Sequence, residues 1–201
     1  MAPASYAPVI EFWFGTAKND ATTAREQKKL WWGKDEAIDA DIRNRFGRLV
    51  TAAAAGAHAG WADTPRGRLA LILLFDQFPR NMHRGSARAF EHDALARRLA
   101  VDGIESGADQ GLRPIERVFF YLPLEHSESQ QLQERCVELF LKLAAAAPEA
   151  ERELFRGYVN YAERHRDIIN RYGRFPHRNA VLGRDSTPDE TEFLKQPGSS
   201  F

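Results

Sequence analysis

The stretch DTPRGRLALILLFDQFP, residues 63–79, constrains the fold more than any other part of the 201-residue chain. Thr64 can cap a helix there and Pro65 can take its first position, where a missing N–H costs nothing. From Leu69 to Phe75 every residue is apolar, so a helix through them has no polar face to offer water and must be surrounded. Pro79 pushes Phe78 out of helical geometry and predicts the end of the helix. A second segment of the same kind, IERVFFYL, is opened by Pro114 and predicted to stop at Pro123.

The elements that could surround them also read as helices. Pro8 opens VIEFWF and Gly15 can close it; residues 34–56 place Ile38, Ile42, Phe46, Leu49 and Val50 at helical spacing. Residues 93–106 form an amphipathic helix with Asp93 as its cap. SESQ at 127–130 and TPDE at 187–190 both have the form of a capping box, the first leading into LQERCVELFLKLAAAA. A long helix over 149–172 stops at Gly173. No alternating strand of useful length occurs. The expected fold is all-α, about eight helices in antiparallel hairpins. The length suits one compact domain over residues 1–201, with 196–201 as a flexible tail.

Composition excludes several classes of function. The 28 basic and 28 acidic residues cancel, so neither nucleic acid nor anionic lipid is an expected partner. No apolar run approaches the ~20 residues that cross a bilayer, and the N-terminus lacks signal-peptide character, so a soluble cytoplasmic protein is expected. The single cysteine, Cys136, excludes an internal disulfide and sits among the residues of an amphipathic helix, where packing explains it.

QFPRN at 77–81 returns as RFPHRN at 174–179, each followed by three residues and a glycine. The prolines, asparagines and glycines suit two similar turns. They leave Arg80 and Arg178 unexplained. Asp76 lies on the stripe of Leu69, Ile72 and Leu73, near a helix C-terminus that disfavours an acid, so it needs a partner. Arg80 and Arg178 are the two candidates. A structural ion pair and a binding site both remain open.

Three further features carry potential chemistry. In LPLEHSES, Ser127 is explained as a cap and Glu128 by the helix that follows, which leaves Glu125 and His126 without a local structural role. His165 falls on the inward face of the long helix with Tyr158, Tyr161, Ala162, Ile168 and Ile169. His177 sits in an arginine-rich loop with Arg174, Arg178 and Arg184, a composition suited to carboxylate or phosphate. No metal-ligand spacing, nucleophile elbow or phosphate-binding glycine loop is present, and no metal or other cofactor is implied.

FDQFPRN at 75–81, FFYLPLEHSES at 119–129 and HRDIINRYGRFPHRNAVLGRDSTPDETEFL at 165–194 resemble a bacterial family catalogued as domain of unknown function 924. VIEFWFG at 9–15 and WWGKDEAIDADIRNRFG at 31–47 fit the same family. The resemblance implies a tetratricopeptide-like array of helical hairpins and little about activity. Asp76, Arg80, Asn81, Glu125, His126, His165, Phe175, Pro176, Arg178 and Asn179 fall within the matching motifs.

The resulting expectation is a binding module. Loops 76–84, 123–128 and 174–184, with His165, form a polar pocket for a small anionic ligand or peptide, held by Asp76, Arg80, Asn81, His165, His177, Arg178 and Asn179. An enzyme using Glu125 or His126 for proton transfer is the first alternative. A scaffold that docks a protein partner through Trp13, Trp31 or Trp32 is the second.

Overall fold

The computed structural model describes residues 5–199, and the part of the expected tail at 200–201 lies outside that range. Within it the chain is helical, with no strand among the described residues: α1 (Ala7–Phe14), α2 (Asp20–Trp32), α3 (Glu36–Ala54), α4 (Pro65–Phe75), α5 (Gln77–Met82), α6 (Asp93–Glu105), α7 (Pro114–Glu125), α8 (Gln130–Ala146), α9 (Glu149–Tyr172) and α10 (Pro188–Leu194). None of these helices is long and apolar enough to cross a membrane.

α4 is the centre, as its all-round apolarity requires. Every residue from Leu69 to Phe75 is buried, against α1, α3, α6 and α7. Its start is set by Thr64, whose hydroxyl accepts from Gly67 N at 3.2 Å, and Gly67 itself is obligatory because a Cβ there would meet the Trp61 carbonyl oxygen at 2.2 Å. α7 is the second buried helix and touches α2, α4, α6, α8 and α9. Its Phe119 gathers the N-terminal aromatics: the rings of Trp13, Phe14, Trp31 and Trp32 lie 4.6–5.7 Å from it, centroid to centroid. Trp13 and Trp31 are therefore core, and of the three tryptophans expected on a docking face only Trp32, 49% exposed, is open. The α8–α9 hairpin closes the other side.

Four local expectations are corrected. The break near the first Phe-Pro falls earlier than Pro79, at Asp76, which separates α4 from α5. Pro79 has no N–H for the Phe75 carbonyl, so the helix yields one turn ahead of it and the proline is accommodated in the first turn of α5. Pro123 likewise does not end α7, which runs to Glu125, with His126 N still donating to Leu122 O at 2.8 Å. The SESQ capping box does not form: Gln130 is the first residue of α8 and Ser127 instead accepts from Ser129 N. Asp93 is the first residue of α6, not its cap.

α2 has no counterpart among the expected helices. Its sequence DATTAREQKKLWW carries too few apolar residues to show a face, although Asn19 caps it by accepting from Thr22 N at 2.9 Å. The TPDE box at α10 forms as expected, with Glu190 N donating to Thr187 Oγ1 at 3.2 Å and Thr187 N to Glu190 Oε2 at 2.7 Å. Residues 196–199 turn back toward α9, where Arg164 donates to Gly198 O and Ser199 is buried.

Candidate functional site

Three elements deliver one polar cluster into this apolar frame: the α4–α5 break, the C-terminus of α7, and α9 with the loop that follows it. Because the chain breaks at Asp76, its carboxylate turns into the interior next to α7. Asp76 Oδ1 lies 2.7 Å from His126 Nδ1, and Oδ2 accepts from Gln77 Nε2 at 2.6 Å. Arg80, one turn on, reaches back to Asp76 Oδ1 at 3.3 Å and to the Asp76 carbonyl at 2.7 Å. Its guanidinium also binds Asp93 through both oxygens, at 2.8 and 3.0 Å.

Arg178, from the second Phe-Pro motif, arrives at the same place. It is buried, donates to the His126 carbonyl at 3.1 Å and lies 3.6 Å from Asp93 Oδ2. Its guanidinium lies over both Phe90 and Phe175, with the carbon 4.7 and 4.4 Å from the ring centroids, and the Arg80 guanidinium also lies over Phe90, at 5.4 Å. The two motif arginines thus converge on Asp93 and Phe90.

Beside them stand Glu125 and His165. His165 Nδ1 donates to Tyr161 O at 2.8 Å, and it approaches Glu125 Oε1 only to 3.4 Å. The His126 and His165 rings are 6.3 Å apart, and His165 meets Phe175 edge-on at 5.6 Å. The His177 ring also lies against Phe175, tilted, at 5.6 Å. The connection carrying Glu125 and His126 is locked by the buried Gln133, whose amide donates to the carbonyls of Glu125 at 2.6 Å and Ser127 at 2.7 Å.

Burial divides the charges of this cluster into two kinds. It pushes the Asp76 carboxyl up, but Arg80 and then His126 outweigh it and hold Asp76 well below the usual carboxylate range. Glu125 has no such partner: burial, reinforced by the Asp76 charge, raises it to about 8, so it carries its proton at neutral pH. Burial lowers all three histidines, aided by Arg80 at His126, with His165 brought to about 3 and His177 to about 4. Burial and then Arg80 lower Arg178 to about 10. At pH 7 the two arginines balance Asp76 and Asp93, and the remaining groups are neutral.

Since Asp76 is ionised, His126 Nδ1 is the donor of their bond, which leaves the lone pair on Nε2. Among the described residues that Nε2 finds no hydrogen-bond partner, and neither does either oxygen of the Glu125 carboxyl, which His165 Nδ1 approaches only to 3.4 Å. Arg178 Nε is buried without a hydrogen-bond partner. A base, an acid and an incompletely satisfied cation therefore occupy one cluster. Among the described residues no His, Cys, Asp or Glu side chains group so as to hold a metal ion.

Asn81 and Asn179 face elsewhere. Asn81 donates to Asp39 at 2.9 Å, and Arg84 grips the same carboxylate, which ties α5 to α3. Asn179 donates to Ser186 and Glu190, and Arg174 grips Glu190 through both oxygens, at 2.7 and 2.8 Å. Arg184 is bound by Glu128 at 2.8 and 3.0 Å. Each Arg-Asn pair thus sends its arginine into the common cluster and its asparagine to a different carboxylate, Asp39 on α3 for Asn81 and Glu190 on α10 for Asn179. The residues that sequence reasoning did not place in the site are Asp93, Phe90, Gln77 and Gln133. Asp93 was expected only as a cap, and the others carry no local signal.

The fold and cluster define a class: all-helical proteins of packed hairpins that enclose a carboxylate, histidine and arginine cluster. The chain belongs to the family described as bacterial protein of unknown function (DUF924), whose model matches residues 9–198. It is also similar to the solved structure of a protein of unknown function, ATU0120, from Agrobacterium tumefaciens, at 38% identity and a TM-score of 0.80, over 94% of this chain and 96% of that one. No curated protein matches.

Proposed function

We propose that the cluster is an acid–base site that binds a small anionic substrate and moves a proton on it. The observation that supports this most directly is His126, with Nδ1 donating to Asp76 and Nε2 without a hydrogen-bond partner among the described residues. An imidazole so oriented, and neutral at pH 7, is a general base; Glu125, protonated beside it, is the matching acid. Two titratable groups driven apart in this way are what proton-transfer sites need. Arg178 would receive the anionic group, because Arg80 is already committed to Asp93 and Asp76.

A binding module without catalysis is the second reading, favoured by the unpartnered Nε of Arg178. The two are separated by incubating the purified protein with a protein-free metabolite extract in D2O and following composition and deuterium uptake by mass spectrometry. Wild type is expected to change or label at least one small carboxylate or phosphate, and His126→Gln to lose that by ~100-fold or more. Extracts left identical by wild type and variant would overturn the acid–base assignment, and retention of an anion by both would favour the binding module.

A further inference from the structure

We propose a second binding site, for a small carboxylate with an apolar body, in the cleft between α3, α5 and the turn that leads into α6. The cleft measures about 550 Å³, within the range of small-molecule sites. Its floor is apolar: Val50 and Ala54 from α3, Pro79 and Met82 from α5.

The rim is cationic. Arg43, His83, Arg88 and His92 line it, with Glu91 as the acid among the lining residues. Among the described residues Arg43 is held by one bond, Nη2 to the Met82 carbonyl at 2.8 Å, with none from its Nε or Nη1. Arg88 approaches Glu91 only to 3.9 Å, with both side chains largely exposed, so that pair neutralises little. Two guanidiniums therefore face one carboxylate. His83 registers the same imbalance: its pKa is lowered by burial and then by Arg88 and Arg43. A planar carboxylate suits a guanidinium fork anchored at one corner, and an aryl or alkyl body suits the floor.

The cleft is separate from the acid–base cluster. Pro79 and His92 are chain neighbours of Arg80 and Asp93, yet the latter two are bound to each other on the inner side. The proposal stands or falls without that function.

Titration of the labelled protein with phenylacetate, followed on the Val50 and Met82 methyl signals, tests it. Saturable shifts are expected there, with acetate binding at least ~10-fold more weakly for want of the apolar contact. Arg43→Met with Arg88→Met should weaken phenylacetate ~10-fold or more. Thr51→Trp, at an exposed helical position on the cleft edge, should block it. Arg88→Met alone, at an exposed site, keeps the test valid if the double variant does not fold. Absence of saturable shifts, acetate binding as tightly as phenylacetate, or affinity unchanged in Arg88→Met and Thr51→Trp would each overturn the proposal. Shifts with phenyl phosphate alone would overturn the carboxylate assignment.

Discussion

His126 Nδ1 stands 2.7 Å from Asp76 Oδ1, fifty residues away along the chain, and this bond fixes which nitrogen of the imidazole carries the proton. Nitrogen NMR of the imidazole at pH 7 is therefore expected to show the Nδ1–H tautomer, with Nε2 unprotonated. Asp76→Asn should disturb that tautomer and also leave Arg80 with only Asp93. A buried cation deprived of one carboxylate costs roughly 3–5 kcal/mol, so the variant's urea midpoint should fall accordingly. A stable variant with the same tautomer would mean that Asp76 does not orient the ring.

Glu125 should make the protein less stable as pH rises. Its folded pKa is raised to about 8 from an ordinary value of 4.5. Between those values the unfolded chain releases this proton and the folded one retains it, so the stability that protonation provides is complete below pH 4.5 and declines up to about 8. Glu125→Gln removes this decline. The variant should gain on wild type by on the order of 2–4 kcal/mol between pH 5 and pH 8 in urea unfolding. Parallel curves for the two proteins would show an ionised Glu125.

The histidines impose the opposite slope on the acid side. His165 and His177 are brought down to about 3 and about 4, so the folded state refuses protons that the unfolded state accepts below pH 6.5. Stability is full above 6.5 and falls as pH drops toward about 4 for His177 and about 3 for His165. His165→Gln, which keeps a donor for the Tyr161 carbonyl, should flatten the acid limb of the urea midpoint curve by roughly a third to a half. Unchanged acid lability would assign the limb to other groups.

What the sequence disclosed and what it withheld follow from range. Thr64 with Pro65, Gly173 and the Thr187–Glu190 box act within a few residues, and each forms as expected. The all-round apolarity of α4 correctly put it at the centre. Prolines misled, because a proline forbids one hydrogen bond and says nothing of where the helix will yield: at Asp76 in one case, nowhere in the other. That error mattered, since the extension of α7 through Pro123 is what buries Glu125. The partners of Arg80 were hidden for a different reason. Asp93 had an adequate local role as a helix start, and only packing reveals that it also joins the two motif arginines.

Those arginines differ in what their loss should cost. Arg80 is bound to Asp93 by two bonds and to Asp76 besides, so Arg80→Met leaves Asp93 with only the 3.6 Å approach of Arg178 and Asp76 with His126 and Gln77, a loss of roughly 3–5 kcal/mol. Arg178 is held by one carbonyl, a 3.6 Å approach to Asp93 and two aromatic faces, and a methionine against Phe90 and Phe175 recovers most of that packing. Arg178→Met should therefore cost about 1–2 kcal/mol. Because both arginines meet at Asp93, their effects should not add; in the double variant Asp93 is left with neither, and a coupling of about 0.5–3 kcal/mol is expected from urea unfolding of the four proteins. A strictly additive result would mean that Arg178 is held by its aromatic neighbours alone and is joined to Arg80 in position but not in energy.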